Sequence, residues 1–445
     1  MPSSLNIPSL PRWIVVDDNV SGGSGHYSEL SELLTQAAHA RGWRPVMLTH
    51  RDHRPSAGGF SVATVQSPFS VRRMTRWSLG VDGGSKVERT LQGRPLASDG
   101  GVIASMAQSL RDARDLPSKR PRQMIKRWSD SLLNSLRQIQ PSKSDRLLLA
   151  TGDDFVLLAL AETLRKIETH FAVDVLFHFA LTDSGQPSVA QDRTLHRIGE
   201  QTRRVIDEIG VERVRFFATT QQLAEQWNQA DLPILVKAIP YPTRPREVVQ
   251  PGDEKVGATL HAPLNLVLAG APRAEKGSRN IQEFLGAISA QISSGQFKIS
   301  LQGQKSLAKA SQPGIEVLPN RLETGEYHSW LDTADIGLFL YEPNRYEARC
   351  SGVMLEMLVR GIPVVVPDGC WLSDTLRDLG RGGAIYGDPA EIPGLLKRCR
   401  RDYASLRRDA MQIATVVAKR HEAAKTLDEL GLPDVITHGA SRVAA

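Results

Sequence analysis

The stretch Tyr346-Glu-Ala-Arg-Cys-Ser-Gly-Val-Met-Leu-Glu-Met-Leu-Val-Arg-Gly-Ile-Pro-Val-Val-Val366 reads as a helix feeding directly into a buried strand. Ser351 is of the residue type that caps helices, because its hydroxyl can accept from an N–H in the first turn. A helix is therefore predicted over Val353 to Val359. Gly361 supplies a stop, since glycine reaches the backbone conformation that ends a helix without steric cost. Ile362-Pro-Val-Val-Val-Pro367 then has the β-branched, uninterrupted apolar character of a strand covered on both faces, as in a parallel sheet.

Working outward, the same alternation recurs. Trp13-Ile-Val-Val-Asp17 is a predicted strand, followed by the glycine loop Ser21-Gly-Gly-Ser-Gly25 and a helical pattern through Leu30, Leu33, Leu34, Ala37 and Ala38. Arg146 to Thr151, Val173 to His178 and Val214 to Ala218 are further predicted strands, with a helix over Leu157 to Ile167 between the first two. Between residues 51 and 130 only Ser61 to Val65 reads as a strand. After Ile239-Pro-Tyr-Pro242 and Pro245, the run Gln250-Pro-Gly-Asp-Glu-Lys-Val-Gly257 has turn formers but no period, the signature of an interdomain linker. A second unit follows, with strands at Leu264 to Ala269, Phe297 to Gly303, Ile336 to Tyr341 and Ile362 to Pro367. Its first helix is marked by Ile281, Phe284, Leu285 and Ile288. Strands alternating with helices predict an α/β chain of two doubly wound, Rossmann-like domains facing a cleft, with ligands at the carboxyl ends of the strands.

Composition agrees with this size of assembly. Of 445 residues, 41% are hydrophobic and 23% charged, with 36 glycines and 26 prolines, the balance of a globular protein and not of a disordered or collagen-like one. Cys350, Cys370 and Cys399 form no CxxC pair and no histidine cluster accompanies them, so neither a disulfide scaffold nor a metal site is expected. No apolar run approaches the ~18 residues of a membrane helix, and the first residues lack a signal-peptide pattern. The expected location is the cytoplasm, with peripheral contact at the inner membrane face as a further expectation. The net charge of +6 is modest. Lys119, Arg120, Arg122, Lys126 and Arg127 concentrate part of it, as a solvated face or as a contact for acidic lipid or a phosphorylated substrate. No nucleic-acid recognition motif accompanies the charge, and no dinucleotide Gly-x-Gly-x-x-Gly or Walker loop is present.

The string at 346 to 366 resembles the nucleotide-sugar site of retaining glycosyltransferases of the GT-B fold, the family-4 type (glycosyl transferases group 1). In those enzymes a Glu-x7-Glu segment precedes an Ala-x-x-Gly-x-Pro-Val-Val-like strand entry. The resemblance is best over residues 262 to 370. It implies an acceptor-side domain over 1–247, a linker over 248–260, a nucleotide-sugar-binding domain over 261–405 and a helical tail over 406–445. It further implies that Glu356 binds the donor ribose. The backbone N–H groups of Ser351, Gly352 and Val353 would face phosphate. Gly270-Ala-Pro-Arg-Ala-Glu-Lys-Gly277 resembles the family's Gly-Arg…Lys-Gly loop, which assigns Arg273 and Lys276 to the donor diphosphate. Gly23 and Gly25 fit the family's first glycine loop, and His178 the place of an acceptor-side histidine; for Asp153 a helix cap is the simpler role. The chain departs from the pattern at one point: eight residues before Glu356 stands Ala348, with Glu347 one residue early. Either Glu347 reaches the sugar through a shifted loop, or the sugar is held by backbone N–H groups and Arg349.

The resemblance implies a hexosyltransferase-like enzyme, and glycan or cell-envelope polysaccharide synthesis is the expectation from how often such enzymes serve it. It would transfer a sugar from a nucleoside-diphosphate sugar to a glycan or lipid-linked acceptor, with retention and without a metal, a further cofactor or a protein nucleophile. The alternative is a noncatalytic GT-B protein that binds a sugar or nucleotide.

Overall fold

The computed structural model describes residues 10–435 apart from 22–24, 55–59, 72–120, 169–170, 181–195, 197–198, 201, 205, 208–209, 231, 247–262, 271–272, 279, 304–312 and 321. Gly23, Lys119, Arg120 and the expected linker at 248–260 lie outside the described residues, as does the side chain of Arg122.

The first sheet has seven strands in the order β3-β2-β1-β4-β5-β6-β7. These are β1 Arg12–Asp17, β2 Arg44–His50, β3 Thr64–Phe69, β4 Arg146–Gly152, β5 Ala172–Phe177, β6 Val214–Ala218 and β7 Val236–Ala238. All six pairings are parallel, with Ile14 level with Val46 on one side and Leu147 on the other. Successive side chains of a strand point to opposite faces. Ile14, Val16, Leu147, Leu149, Val173 and Val175 thus enter one core, and Trp13, Val15, Leu148, Ala150 and Leu176 enter the other. A strand buried on both faces is apolar at most positions, with buried polar groups such as Asp174 paired, which is why the central strands were readable.

The second sheet repeats the plan with six parallel strands in the order β10-β9-β8-β11-β12-β13. They are β8 Leu264–Leu268, β9 Phe297–Gln302, β10 Ile315–Leu318, β11 Ile336–Leu338, β12 Val364–Pro367 and β13 Gly383–Tyr386. In both sheets the order reverses beside the first strand, between β1 and β4 and between β8 and β11. Loops leaving those two strand pairs diverge and leave a crevice, the usual ligand position of a doubly wound sheet.

The helix that leads into β12 spans Gly352–Leu358, with Ser351 Oγ accepting from Met354 N. Asp153 caps the helix Asp154–Leu164 by accepting from Val156 N at 2.8 Å. Beyond residue 405 the chain serves both sheets. The helix Tyr403–Arg420 buries Ala410, Ile413, Ala414 and Val417, and Ile413 and Val417 belong to the second-sheet core. The chain then turns at His421, and Leu427, Leu430 and Leu432 join Trp13, Leu30, Leu34 and Trp43 in the first-sheet core. Arg146 Nη1 donates to Gly431 O at 2.7 Å and Trp43 Nε1 to Pro433 O at 2.7 Å. At the crossing, Thr426 Oγ1 donates to Pro240 O and His421 Nδ1 to Tyr241 O, at 2.9 and 2.8 Å. The chain after β7 and the turn that follows the helix Tyr403–Arg420 are therefore clasped to each other.

Candidate active site

Each half offers its strand ends to the cleft. From the first come Gly25 and His26, at the start of the helix His26–Ala40 after β1, and His178, directly after β5. Gly25 has φ 128°, a conformation that an L side chain rarely adopts. His178 Nε2 lies 2.6 Å from Ala150 O. A carbonyl only accepts, so the ring proton is on Nε2 and Nδ1 presents a lone pair. Burial, together with the Arg349 charge, lowers the His178 pKa to about 4; the ring is neutral at pH 7.

From the second half come the turn after β8 and the loop before Gly352. Gly270 has φ 101°, and its N–H donates to Gln302 Oε1 at 2.8 Å, which fixes the turn. A Cβ at Gly270 would collide with Lys276 Nζ. Glycine there lets the ammonium lie against the backbone. Lys276 Nζ stands 5.4 Å from the Tyr341 ring centroid, Tyr341 and Tyr346 are 4.3 Å apart, and Arg349 lies 5.0 Å over Tyr346. Arg349 also lies 5.4 Å over Phe179 of the first half. Lys276, Tyr341, Tyr346, Arg349 and Phe179 thus form one row of cations and rings across the cleft.

The charges meet at His26. Its pKa is pushed well down, first by burial and then by Arg273, Lys276, His178 and Arg349. Lys276 is pushed down to about 7 by burial and by the like charges of Arg273 and Arg349. Such crowding is tolerated where an anion is to be bound.

Glu356 lies on the same row, 8% exposed. Tyr327 Oη donates to Glu356 Oε2 at 2.7 Å, and Arg360 Nη1 to the Glu356 carbonyl at 2.6 Å. Burial and the Glu29 carboxylate raise Glu356 to about 7, against the opposing pull of Tyr327, Arg360 and Lys276. Glu29 reaches in from the first half. Burial disfavours its charge, but the adjacent His328 ring at 3.2 Å and Arg244 Nε at 3.0 Å outweigh that and hold its carboxyl low. Tyr241 closes the floor: a Cβ at Gly352 would come within 3.4 Å of its ring, which stands 6.0 Å from the His178 ring.

The structure brings Arg273, Lys276, His178 and Glu356 to one place, with Gly25 at its rim and Ser351, Gly352 and Val353 at the helix start beside Tyr241. Glu347 stands apart from that cationic row. Burial and the Asp374 carboxylate push its carboxyl up, and its Oε2 has no hydrogen-bond partner among the described residues. Ala348 is fully buried in the first-sheet core, and its carbonyl accepts from Thr220 Oγ1 at 2.6 Å. Sequence reasoning assigned no role to His26, Glu29, Tyr241, Tyr327 or Tyr341. His26 and Glu29 carry a signal, being one helical turn apart directly after the glycine loop. The tyrosines come from three separate segments and carry none. Among the described residues no group of three or more His, Cys, Asp or Glu is placed to hold a metal, and no helix is long and apolar enough to cross a membrane.

Two doubly wound sheets of reversed order, facing each other across a cleft lined by their strand ends, are the GT-B fold. Solved structures agree along the whole chain. The sucrose-phosphate synthase of Thermosynechococcus elongatus matches with TM-score 0.60 at 13% identity, over 95% of this chain and 98% of that one. HepE of Anabaena, solved in complex with UDP, matches with TM-score 0.54 at 13% identity, over 94% and 98%. An α,α-trehalose-phosphate synthase (UDP-forming) of Burkholderia vietnamiensis matches with TM-score 0.59 at 11% identity, over 95% and 97%. No family model and no curated protein matches the chain.

Proposed function

We propose that this protein is a glycosyltransferase that moves a sugar from a nucleoside-diphosphate sugar to a glycan or lipid-linked acceptor, with retention at the transferred carbon. The observation that carries the reading is the convergence of Arg273 and Lys276 with His178 and the buried Glu356 at the strand ends of both sheets. As the glycosidic bond breaks, negative charge develops on the diphosphate, and preorganised cations stabilise it. Arg273 and Lys276, three residues apart on one turn, are suited to that task. Glu356, with one carboxylate oxygen held by Tyr327, keeps the other for the hydroxyls of a ribose. His178, neutral and with its Nδ1 lone pair unspent on Ala150, can accept from a sugar hydroxyl. Structural neighbours support the donor class, HepE having been solved with UDP-glucose.

The test is incubation of the purified chain with a panel of nucleotide sugars, following diphosphate release with and without glycan acceptors and reading the anomeric configuration of the product. Release with one donor, and a product of unchanged configuration, is expected. Nucleoside-diphosphate binding without turnover on any donor would favour the noncatalytic alternative, to which Ala348 in place of a motif glutamate lends weight.

A further inference from the structure

Arg349 is a third cation where the leaving diphosphate already has two. Arg273 and Lys276 come from one turn of the second half. Arg349 comes from another loop and reaches the opposite wall, its guanidinium 5.0 Å over Tyr346 and 5.4 Å over Phe179, the residue after His178. A guanidinium flanked by ring faces keeps its N–H edge for a ligand, and that edge matches the two oxygens of a carboxylate or phosphate. The rings orient the group without neutralising it.

Among the described residues Arg349 makes no ion pair. The position where a sugar-binding carboxylate would stand is Ala348, whose side chain is buried in the first-sheet core and whose carbonyl is tied to Thr220 Oγ1 at 2.6 Å. That tie fixes the loop, so Arg349 is carried towards His178 and Phe179 while Glu347 lies by Asp374. His178 is neutral and contributes hydrogen bonding, not charge. A wall built to hold only hydroxyls would leave Arg349 uncompensated beside Lys276, already destabilised by like charges.

We propose that one of the two sugars joined in this cleft carries a carboxylate or phosphate group and that Arg349 binds it. This rests on the donor reading above and adds the charge of the substrate to it. The anionic group belongs either to the transferred sugar or to the acceptor, and two measurements separate these sources.

Calorimetry of the full chain with uridine, guanosine and adenosine diphosphates first fixes the base. The neutral hexose and the hexuronate esters of that nucleotide are then compared. In parallel, diphosphate release from the neutral ester is followed with a hexose and with its 6-phosphate as acceptor. An anionic preference of about tenfold or more is expected within one of these pairs. Arg349→Gln should abolish it while changing the affinity for the bare diphosphate by less than about threefold, and Arg349→Lys should restore part of it. Equal treatment of the neutral and anionic members of both pairs by the wild-type protein would overturn the proposal, and this reading survives even if Arg349→Gln fails to fold. An equal loss of bare diphosphate binding in Arg349→Gln would overturn it too, by making Arg349 a third diphosphate ligand. Failure of the wild-type chain to bind any nucleoside diphosphate would instead remove the donor reading on which both rest.

Discussion

Tyr327 and Glu356, on separate helices of the second half, share one proton across 2.7 Å, the tyrosine hydroxyl donating to Oε2 of a carboxylate that burial and Glu29 push towards neutrality. The bond favours the charged form, and it leaves a single oxygen with a fixed direction. Tyr327→Phe should therefore act on Glu356 alone. Hydrogen bonds to charged groups are worth about 1.5–3 kcal/mol. Affinity for a ribonucleoside diphosphate should fall by up to that amount at pH 7, and less at pH 9, where the carboxyl ionises without help. The 2′-deoxy analogue should lose little. A thermal melt and titrations of both nucleotides at the two pH values check this; equal losses for the two nucleotides would contradict the ribose role of Glu356.

Lys276, with its pKa lowered to about 7, is half charged at neutral pH before any ligand arrives. A bound diphosphate favours the ammonium and raises that pKa, so binding takes up a proton. The sign follows: affinity is greatest below pH 7 and falls as the pH rises from 7 towards the bound-state pKa, by at most about tenfold per unit. Titrations between pH 7 and 9 in buffers of different ionisation enthalpy measure the uptake directly. Lys276→Arg should bind with a flat profile over that range, because a guanidinium stays charged.

Gly270→Ala tests whether that ammonium is held by the turn. The substitution forces a Cβ into a φ of 101° and into the place of Lys276 Nζ. Donor affinity should drop about as far as in Lys276→Ala, and the pair should be non-additive when combined. Additive losses in the double variant would show that the two residues act apart.

Arg146 links the first sheet to the end of the chain. Its Nε lies 2.6 Å from the fully buried Asp174 and its Nη1 donates to Gly431 O, while Arg215 covers the other oxygen of Asp174 at 2.7 Å. Arg146→Ala leaves a buried carboxylate half-paired, for which about 3–5 kcal/mol is the usual loss. Urea unfolding should show it, and proteolysis should begin near residue 430, where the carbonyls of Leu430 and Gly431 lose their Arg146 donor. A variant as stable as the wild type would mean that Arg215 alone satisfies Asp174.

Much of this architecture was legible in the residues. Val214 to Ala218 was read to the residue and β1, β4, β5, β8, β9 and β12 to within one or two, because strands covered on both faces are mostly apolar; β11 ends three residues short of the expected Tyr341, and β3 lies at Thr64–Phe69 and not at Ser61 to Val65. Strands β2, β7, β10 and β13 were not read. Arg44-Pro-Val-Met-Leu-Thr-His50 opens with Arg and Pro and ends in Thr and His, and its burial is imposed by the neighbours β1 and β3. β7 is three residues long, too short for any period to show.

The site divides in the same way. The sequence by itself determined the local devices, because capping, turn and strand signals act within a few residues: Ser351 and Asp153 at helix starts, Gly270 in its turn, Arg273 and Lys276 together after β8. Only the tertiary structure decided which charges meet. Glu29 and Glu356 repel across the cleft, Tyr327 steadies one of them, and Arg349 bridges Tyr346 and Phe179, all through segments far apart in the chain. Electrostatic and ring contacts depend on distance in space, and no spacing along the sequence encodes that distance until the two sheets have closed on their shared C-terminal segment.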